Sequence, residues 1–416
     1  SAFSEFADVL PIHYMEDDTI LICEGGRRRL WSKVDGTYRE TQLDYAEEDV
    51  ASQRVDLGSH AHFMIKEINE APDAVVEIRK GAQEGIAQAA ARLGDTNCGI
   101  VGSGSALYVG LLGQYFFANL ARKHVPAYSS DEFLDLFPIG AGDTVVAVSQ
   151  SGETFDTLEV LRHAADVSAN IIAINNVAGS TMQRLADVPI LQNAGREICV
   201  LSTKSIVSQA VCLYLMAAEL GVANGTLAAD VRQEIEASLD GLPDALSHVI
   251  RDSSDVIQRA AARYSHIEHW FFIGRGVHYA VALESALKFK EVSYLHAEGM
   301  SAGFFKHGTI SLIDEHFYTV AFIPDMENDR DLYQLTIDNI HEIKARGGKV
   351  IGFGPPIPRT VEADIFIEYI TLPRTSSGLS ALVQMVAGQL FAYFCALDLG
   401  RNIDRPRALA KSVTVR

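Results

Sequence analysis

The densest chemical signal in the chain is the run Val148-Ser-Gln-Ser-Gly-Glu-Thr-Phe-Asp-Thr157. It follows an apolar, strand-like stretch and opens a helix-like one. Ser149, Ser151 and Thr154 place three hydroxyls within six residues. Gly152 lets the backbone come close to a ligand. Free N–H groups at a helix start, with hydroxyl donors beside them, form an anion site. No lysine lies in the turn and it is not a Walker A sequence, so a monophosphate fits better than a nucleoside triphosphate. A Ser/Thr-rich helix cap is the plainer alternative. Ser103-Gly-Ser105 and Ser202-Thr-Lys204 are two further hydroxyl clusters ahead of helices. Three such turns in one domain suggest a sugar phosphate, whose phosphate and hydroxyls need many short donors.

A second constellation lies further along. Glu284, Lys288 and Glu291 are spaced i, i+4, i+7 and share one face of a helix. A solvated salt-bridge face is the ordinary reading of such a pattern. Here Ala282, Leu283, Ala286, Leu287 and Phe289 surround it, which predicts a buried helix. His296-Ala-Glu298 and Lys306-His-Gly308 follow closely. A carboxylate and an amine in one apolar environment have shifted pKa values, as proton-transfer groups need. His307 suits an acid/base role or a structural one. No HExxH or paired ligand spacing supports a metal, and no metal or cofactor is expected. The tail Asp404–Arg416 mixes apolar and basic residues and offers Lys411. A lysine amine can form a Schiff base with a carbonyl substrate; a frayed surface tail is the alternative.

The elements that must position these groups read as α/β. Strands are predicted at Cys98–Val101, Thr144–Val148, Asn170–Ile174, His269–Ile273, Phe317–Ala321, Lys349–Phe353 and Ile365–Tyr369. Long helices are predicted at Ser205–Leu220 and Leu379–Leu399, with a helix-rich stretch over Leu227–Tyr264. Leu379–Leu399 suits either a subunit interface or a core. Ile100-Val-Gly-Ser-Gly104 and Ile273-Gly-Arg-Gly276 each join a strand to a helix-like stretch, carrying Tyr108 and Tyr279 respectively. Such turns are common singly, but the shared order of elements argues for duplication. Two doubly wound parallel-sheet domains, each a three-layer αβα unit, fit best, with ligands at the carboxyl ends of strands. Ahead of them, Leu10–Met15, Thr19–Cys23, a Gly25-Gly26 turn and Arg29–Trp31 read as a hairpin-like region too short for its own core. Ala46 to Ser59 is polar and acidic, like a linker. A helix is expected from near His62 to just before Pro72.

Composition removes whole classes. The chain has 416 residues, and its 35 basic against 54 acidic residues leave a net charge of −19, which argues against a phosphate-backbone binder. At 48% hydrophobic and 21% charged it is an ordinary globular composition. The sequence shows no uninterrupted apolar run long enough to span a membrane, and no secretory signal opens it. Five widely spaced cysteines without a CxxC pair read as reduced thiols in a cytoplasmic protein.

Taken together, Ser149-Gln-Ser-Gly-Glu-Thr154, Ser202-Thr-Lys204, Ala286-Leu-Lys-Phe-Lys-Glu291, His296-Ala-Glu298, Lys306-His-Gly308 and Leu409-Ala-Lys-Ser-Val-Thr-Val415 resemble the sugar-isomerase (SIS) half of the glucosamine-6-phosphate synthases. The likeness runs in order over roughly residues 60–416, and the terminal Ala-Lys-Ser-Val-Thr-Val is specific to that aminotransferase family. The resemblance implies fructose 6-phosphate and ammonia as substrates and glucosamine 6-phosphate as product. It implies that Ser103, Ser105, Ser149, Gln150, Ser151 and Thr154 hold the sugar phosphate and that Val200 and Ser202 line the sugar site. Glu291 would move a proton between C1 and C2, with Lys288 assisting. His307 would reach in from the partner of a homodimer to open the ring, Lys411 would form the Schiff base, and Glu284 would orient the group. It also implies domains at 76–245 and 246–400, a tail at 401–416, a linker with its helix at 46–75, and a glutaminase-like remnant at 1–45. The chain opens at Ser1, without Met. On this resemblance it begins inside a larger enzyme and does not hydrolyse glutamine. Two turns depart from the family pattern. Ser103-Gly-Ser-Ala106 stands for Cys-Gly-Thr-Ser, and Phe304-Phe-Lys-His-Gly-Thr309 for Glu-Leu-Lys-His-Gly-Pro. They keep open an amino-sugar-phosphate deaminase or isomerase of the same family, or a sugar-phosphate-binding regulator.

Overall fold

The computed structural model describes residues 9–12, 18–43, 46–49, 56–94 and 96–414. Residues 1–58 and 59–416 form separate compact units. In the first, β1 (Val9–Ile12) pairs antiparallel with the last strand, β5 (Ala46–Asp49). Between them β2 (Thr19–Glu24), β3 (Arg27–Val34) and β4 (Thr37–Thr41) form a three-stranded antiparallel sheet, joined through Gly25-Gly26 and Asp35-Gly36. The acidic stretch expected as linker therefore contributes a strand. Its charged residues are poor sheet formers, and pairing with β1 overrides that preference. Of the strand expected at Leu10–Met15, the part beyond Ile12 lies outside the described residues.

The second unit opens with α1 (Phe63–Asn69), α2 (Ala71–Gly81) and α3 (Gln83–Leu93). Pro72 sits in the first turn of α2, where its missing N–H has no helical partner to lose. Then come β6 (Cys98–Gly102), α4 (Ser105–Leu120), β7 (Ala127–Ser129), α5 (Phe133–Leu136), β8 (Thr144–Val148), α6 (Phe155–Asp166), β9 (Asn170–Asn175), α7 (Thr181–Leu185) and β10 (Val188–Leu191). After α8 (Lys204–Ala223), α9 (Ala229–His248), a π turn and α10 (Ser254–Tyr264), a second series begins. It comprises β11 (His269–Gly274), α11 (Val277–Ser293), β12 (His296–Ser301), β13 (Phe317–Phe322), α12 (Arg330–Lys344), β14 (Lys349–Gly354), α13 (Arg359–Ile365), β15 (Glu368–Thr371) and α14 (Ser377–Asp398).

The two sheets share one topology. Their strand orders are β10-β9-β8-β6-β7 and β12-β11-β13-β14-β15, all parallel. β8 (Thr-Val-Val-Ala-Val) is buried on both faces, which is why it is an unbroken apolar run. In register, Val101 stands opposite Ala147 and Val148 opposite Ile174. The turns after β6 and β8 thus leave the sheet side by side, where the strand order reverses, the usual ligand crevice of such folds.

One continuous core joins the inner faces of both sheets through α4, α8, α11 and α14. Separate clusters cover the outer faces, around Phe133, Leu161 and Met182 on the first sheet and Phe271, Ile340 and Ile343 on the second. In the joined core, Phe289 stacks on Phe391 at 5.7 Å, and Trp270 packs against both. Fully buried aromatics of this kind contribute about 2–3 kcal/mol each. Lys204–Ala223 and Gly378–Asp398 are long and apolar enough to cross a membrane by length and composition, a feature the sequence reading did not register, and both are buried in this core. Burial within its own chain makes α14 a core helix. The strand expected at Ile365–Tyr369 starts later, at Glu368, because Ile365 closes α13. β7, β10 and β12 were not anticipated.

Candidate functional site

Two glycines shape the turns at the crevice. Gly104, at φ +57°, ends the turn after β6 and opens α4. Gly152 adopts φ +68°, and a Cβ there would lie 2.3 Å from Ser180 Oγ, so packing as well as conformation demands glycine. Ser149 Oγ accepts the Gly152 N–H at 3.0 Å and faces Thr154 Oγ1 at 3.3 Å. Ser151 Oγ accepts the Glu153 N–H at 3.2 Å. The result is a ring of hydroxyls at the start of α6.

The tail folds back onto this turn. Ser412 Oγ meets Ser151 Oγ at 3.0 Å, and the Phe155 N–H donates to the Val413 carbonyl at 3.0 Å. Upstream, the Val200 N–H donates to the Asp404 carbonyl at 3.1 Å, while the guanidinium of Arg407 lies 4.4 Å over the Tyr294 ring. These contacts hold the tail in place from Asp404 to Val413.

A cavity of about 160 Å³ opens between the turns, α8, α11 and the tail. Ser103, Ser105, Ser149, Gln150, Ser151, Thr154, Val200, Ser202, Lys288, Glu291 and Lys411 all line it. Glu284 lies behind it, fully buried. His307 is exposed and outside it, in the turn after β12, its ring 6.0 Å from that of Phe304. His296 and Glu298 pair with each other at 3.2 Å on the edge strand β12, also away from the cavity. Lys204 turns aside to Glu70 at 2.7 Å, leaving Ser202 to face the cavity. Among the described residues, no group of three or more His, Cys, Asp or Glu is arranged to hold a metal.

The charges on α11 form a chain. Lys288 Nζ donates to Glu291 and stands 3.8 Å from Glu284 Oε1. Burial alone would lower the Lys288 pKa, but the Glu291 and Glu284 charges outweigh it and raise it, so the amine stays protonated. Burial pushes Glu284 up to about 8 against the pull of Lys288, with repulsion from Glu291 adding to the rise. Neither Glu284 oxygen has a hydrogen bond of good geometry. Two carboxyl groups and an amine thus line a single helix face, with only Glu291 and Lys288 reaching the cavity.

Glu197 and Gln209 escaped the sequence reading. Glu197 accepts Lys411 Nζ at 2.6 Å, the Thr203 N–H at 2.8 Å, the Ser205 N–H at 3.2 Å and the Ser205 hydroxyl at 2.9 Å. Burial works to raise its pKa, yet the charge and hydrogen bond of Lys411 and the backbone N–H groups lower it below the usual value. Gln209, on α8, reaches the cavity with a buried Oε1 that has no partner. No spacing rule flags either residue. The one hint for Glu197 is an acid just ahead of a hydroxyl-rich helix start.

Known proteins share this sequence pattern and this fold. The SIS domain family model matches residues 97–219 and 264–393. A glutamine–fructose-6-phosphate aminotransferase [isomerizing] from Methanococcus maripaludis is 37% identical over 420 residues, covering 100% of this chain and 67% of that protein. The protein of the same description from Methanocaldococcus jannaschii is 41% identical over 357 residues, covering 86% of this chain but only 31% of its own length. In structure, the chain resembles the C-terminal domain of glucosamine-fructose-6-phosphate aminotransferase from Francisella tularensis, with a TM-score of 0.75 and 28% identity, over 85% of this chain and 100% of that one.

Proposed function

The chain belongs to the SIS domain family, and from that premise we propose that it converts fructose 6-phosphate and ammonia to glucosamine 6-phosphate. Its relatives support sugar-phosphate isomerase chemistry in general. The observation that favours the aminotransferase is the presence of Lys411 in the same cavity as Glu291 and the hydroxyl ring. An isomerase needs a base and an anion cradle; a lysine amine beside them adds carbonyl chemistry.

In this reading the Ser149–Thr154 hydroxyls and the α6 N-terminus hold the phosphate. The Lys411 amine adds to the C2 carbonyl of the open-chain ketose, and the oxygen leaves as water. Ammonia then displaces the lysine, leaving an imine at C2. Glu291 takes a proton from C1 and returns one to C2, which turns the ketose imine into the 2-amino aldose. Lys288 stands beside that carboxylate and offsets the charge developing on the sugar oxygens. His307, exposed and outside its own chain's cavity, opens the ring in the cavity of a second copy, in a homodimer. The relatives are described as using glutamine; free ammonia is the nitrogen source proposed for this chain.

Glucosamine 6-phosphate formation from fructose 6-phosphate and ammonium tests this. Lys411→Ala and Glu291→Gln should each abolish it, and normal synthesis by either variant would remove that residue from the mechanism. Release of ammonia from glucosamine 6-phosphate without any synthesis would identify a deaminase instead.

A further inference from the structure

α1 lies outside both sheets, yet it is tied to two of the segments that surround Lys411. Asp404, in the tail, accepts the Phe63 and Met64 N–H groups at 2.9 Å each and so caps the helix from a distance. Glu67, in the middle of α1, accepts the N–H groups of Ile198 and Cys199 with Oε1. Those peptides directly follow Glu197, the residue that receives Lys411. Glu67 is fully buried, and its Oε2 has no partner. An unmatched buried carboxylate oxygen is destabilising and calls for a compensating role.

We propose that Glu67 is a positioning residue for Lys411: it grips the backbone of residues 198–199 and so fixes where the Glu197 carboxylate stands beside the lysine amine. The proposal rests on Lys411 being the Schiff-base lysine. Several titratable groups face Glu67. Glu197 and the Cys199 thiol come from the loop before α8, and Lys411 from the tail. The Lys66–Glu70–Lys204 ion chain runs along the same helix end, and Asp404 sits at its start. Burial and repulsion from Glu197 push Glu67 up to about 7, against the Ile198 N–H and the charge of Lys411. Its charge therefore changes in the middle of the neutral range. Above that point a second carboxylate charge adjoins the Glu197–Lys411 pair, and the amine that must attack the carbonyl faces two negative neighbours.

The test is trapping. With fructose 6-phosphate and borohydride, the imine formed by Lys411 gains a hydride at carbon and becomes a stable secondary amine, read as a mass increase on the tail peptide. In the wild-type chain the pH profile of trapping should bend near 7, where Glu67 ionises. Glu67→Gln keeps an acceptor for the two N–H groups but not the charge, so it should trap well and lose the bend. Glu67→Ala releases the 198–199 backbone and should lose on the order of tenfold or more at every pH, since small misplacements at a reacting centre are that costly. Wild-type yields from Glu67→Ala would overturn the positioning role of Glu67, and identical profiles for the wild type and Glu67→Gln would overturn the influence of its charge; neither result touches the role of Lys411. Absence of any adduct on Lys411 in the wild type would overturn the functional reading and this proposal with it.

Discussion

Glu197→Gln isolates one interaction. The side chain is fully buried, and Lys411 is only a quarter exposed, so water screens the pair little. One oxygen of Glu197 serves the Thr203 and Ser205 N–H groups; the other serves Lys411 and the Ser205 hydroxyl. A glutamine can keep the first oxygen and turn its amide toward Ser205, whose hydroxyl can accept as well as donate. What it cannot keep is the bond to Lys411, because an amide N–H₂ repels an ammonium. A charge-assisted hydrogen bond of this kind contributes about 1.5–3 kcal/mol. If it holds the amine in place at the carbonyl, kcat/KM for glucosamine 6-phosphate formation should fall about 10- to 150-fold. Glu197→Ala goes further and strands two buried N–H groups, at about 1–3 kcal/mol each. At roughly 1 °C per kcal/mol for a chain of this size, its melting temperature should drop by roughly 2–6 °C. The pH dependence has a definite sign. The folded-state pKa of Glu197 lies below its usual 4.5, so this stabilisation is present above that value and is lost as the pH falls through the lower folded value. The gap in stability between wild type and Glu197→Gln should therefore close in acid. A Glu197→Gln chain with unchanged kcat/KM and an unchanged melting temperature would show that the pair positions nothing.

Gly152→Ala should destabilise by about 1–3 kcal/mol, because φ +68° and the 2.3 Å approach to Ser180 Oγ both resist a Cβ; denaturant unfolding measures it, and inorganic phosphate affinity should fall with it. Glu284→Gln should flatten the pH dependence of stability. With a folded pKa of about 8 against 4.5, the wild type loses stability as the pH rises through that window, by up to about 1.4 kcal/mol per unit. Parallel unfolding profiles for wild type and variant would contradict that assignment. Finally, inactive His307→Ala and Lys411→Ala chains, when mixed and allowed to exchange subunits, should regain activity, because one cavity of the hybrid then has both groups; no recovery would place His307 in its own chain's chemistry or in none.

Much of the fold was legible because parallel strands buried on both faces leave apolar runs rich in β-branched residues, as in Thr144–Val148 and Asn170–Asn175. The strands that were missed sit at or near sheet edges. Ala127–Ser129 has three residues, Val188–Leu191 carries Pro189, and His296–Ser301 contains Gly299 and the polar His296 and Glu298. Edge strands tolerate such residues because fewer neighbours depend on them. The apolar run at Ile365–Tyr369 misled by straddling a helix end and a strand start. Periodicity shows that such residues are buried, not in which element.

The cavity follows the same division. Hydroxyls at strand-to-helix turns announce themselves, since a helix start needs only neighbours in sequence to become an anion site. Glu197 and Glu67 do not, since their roles depend on groups brought from elsewhere. Lys411 reaches Glu197 across 214 positions, and Ile198 reaches Glu67 across 131. Neither acid belongs to a spacing pattern, and each would be unremarkable on a surface. Burial makes them matter: two carboxylates without water must share one lysine charge and a few N–H groups. The net charge of −19 has its local counterpart here. An anionic substrate enters an acidic protein only where the acids are neutralised. The Glu284–Lys288–Glu291 chain and the Glu67–Glu197–Lys411 cluster do this on two sides of the cavity, each with one carboxyl group pushed toward its neutral form.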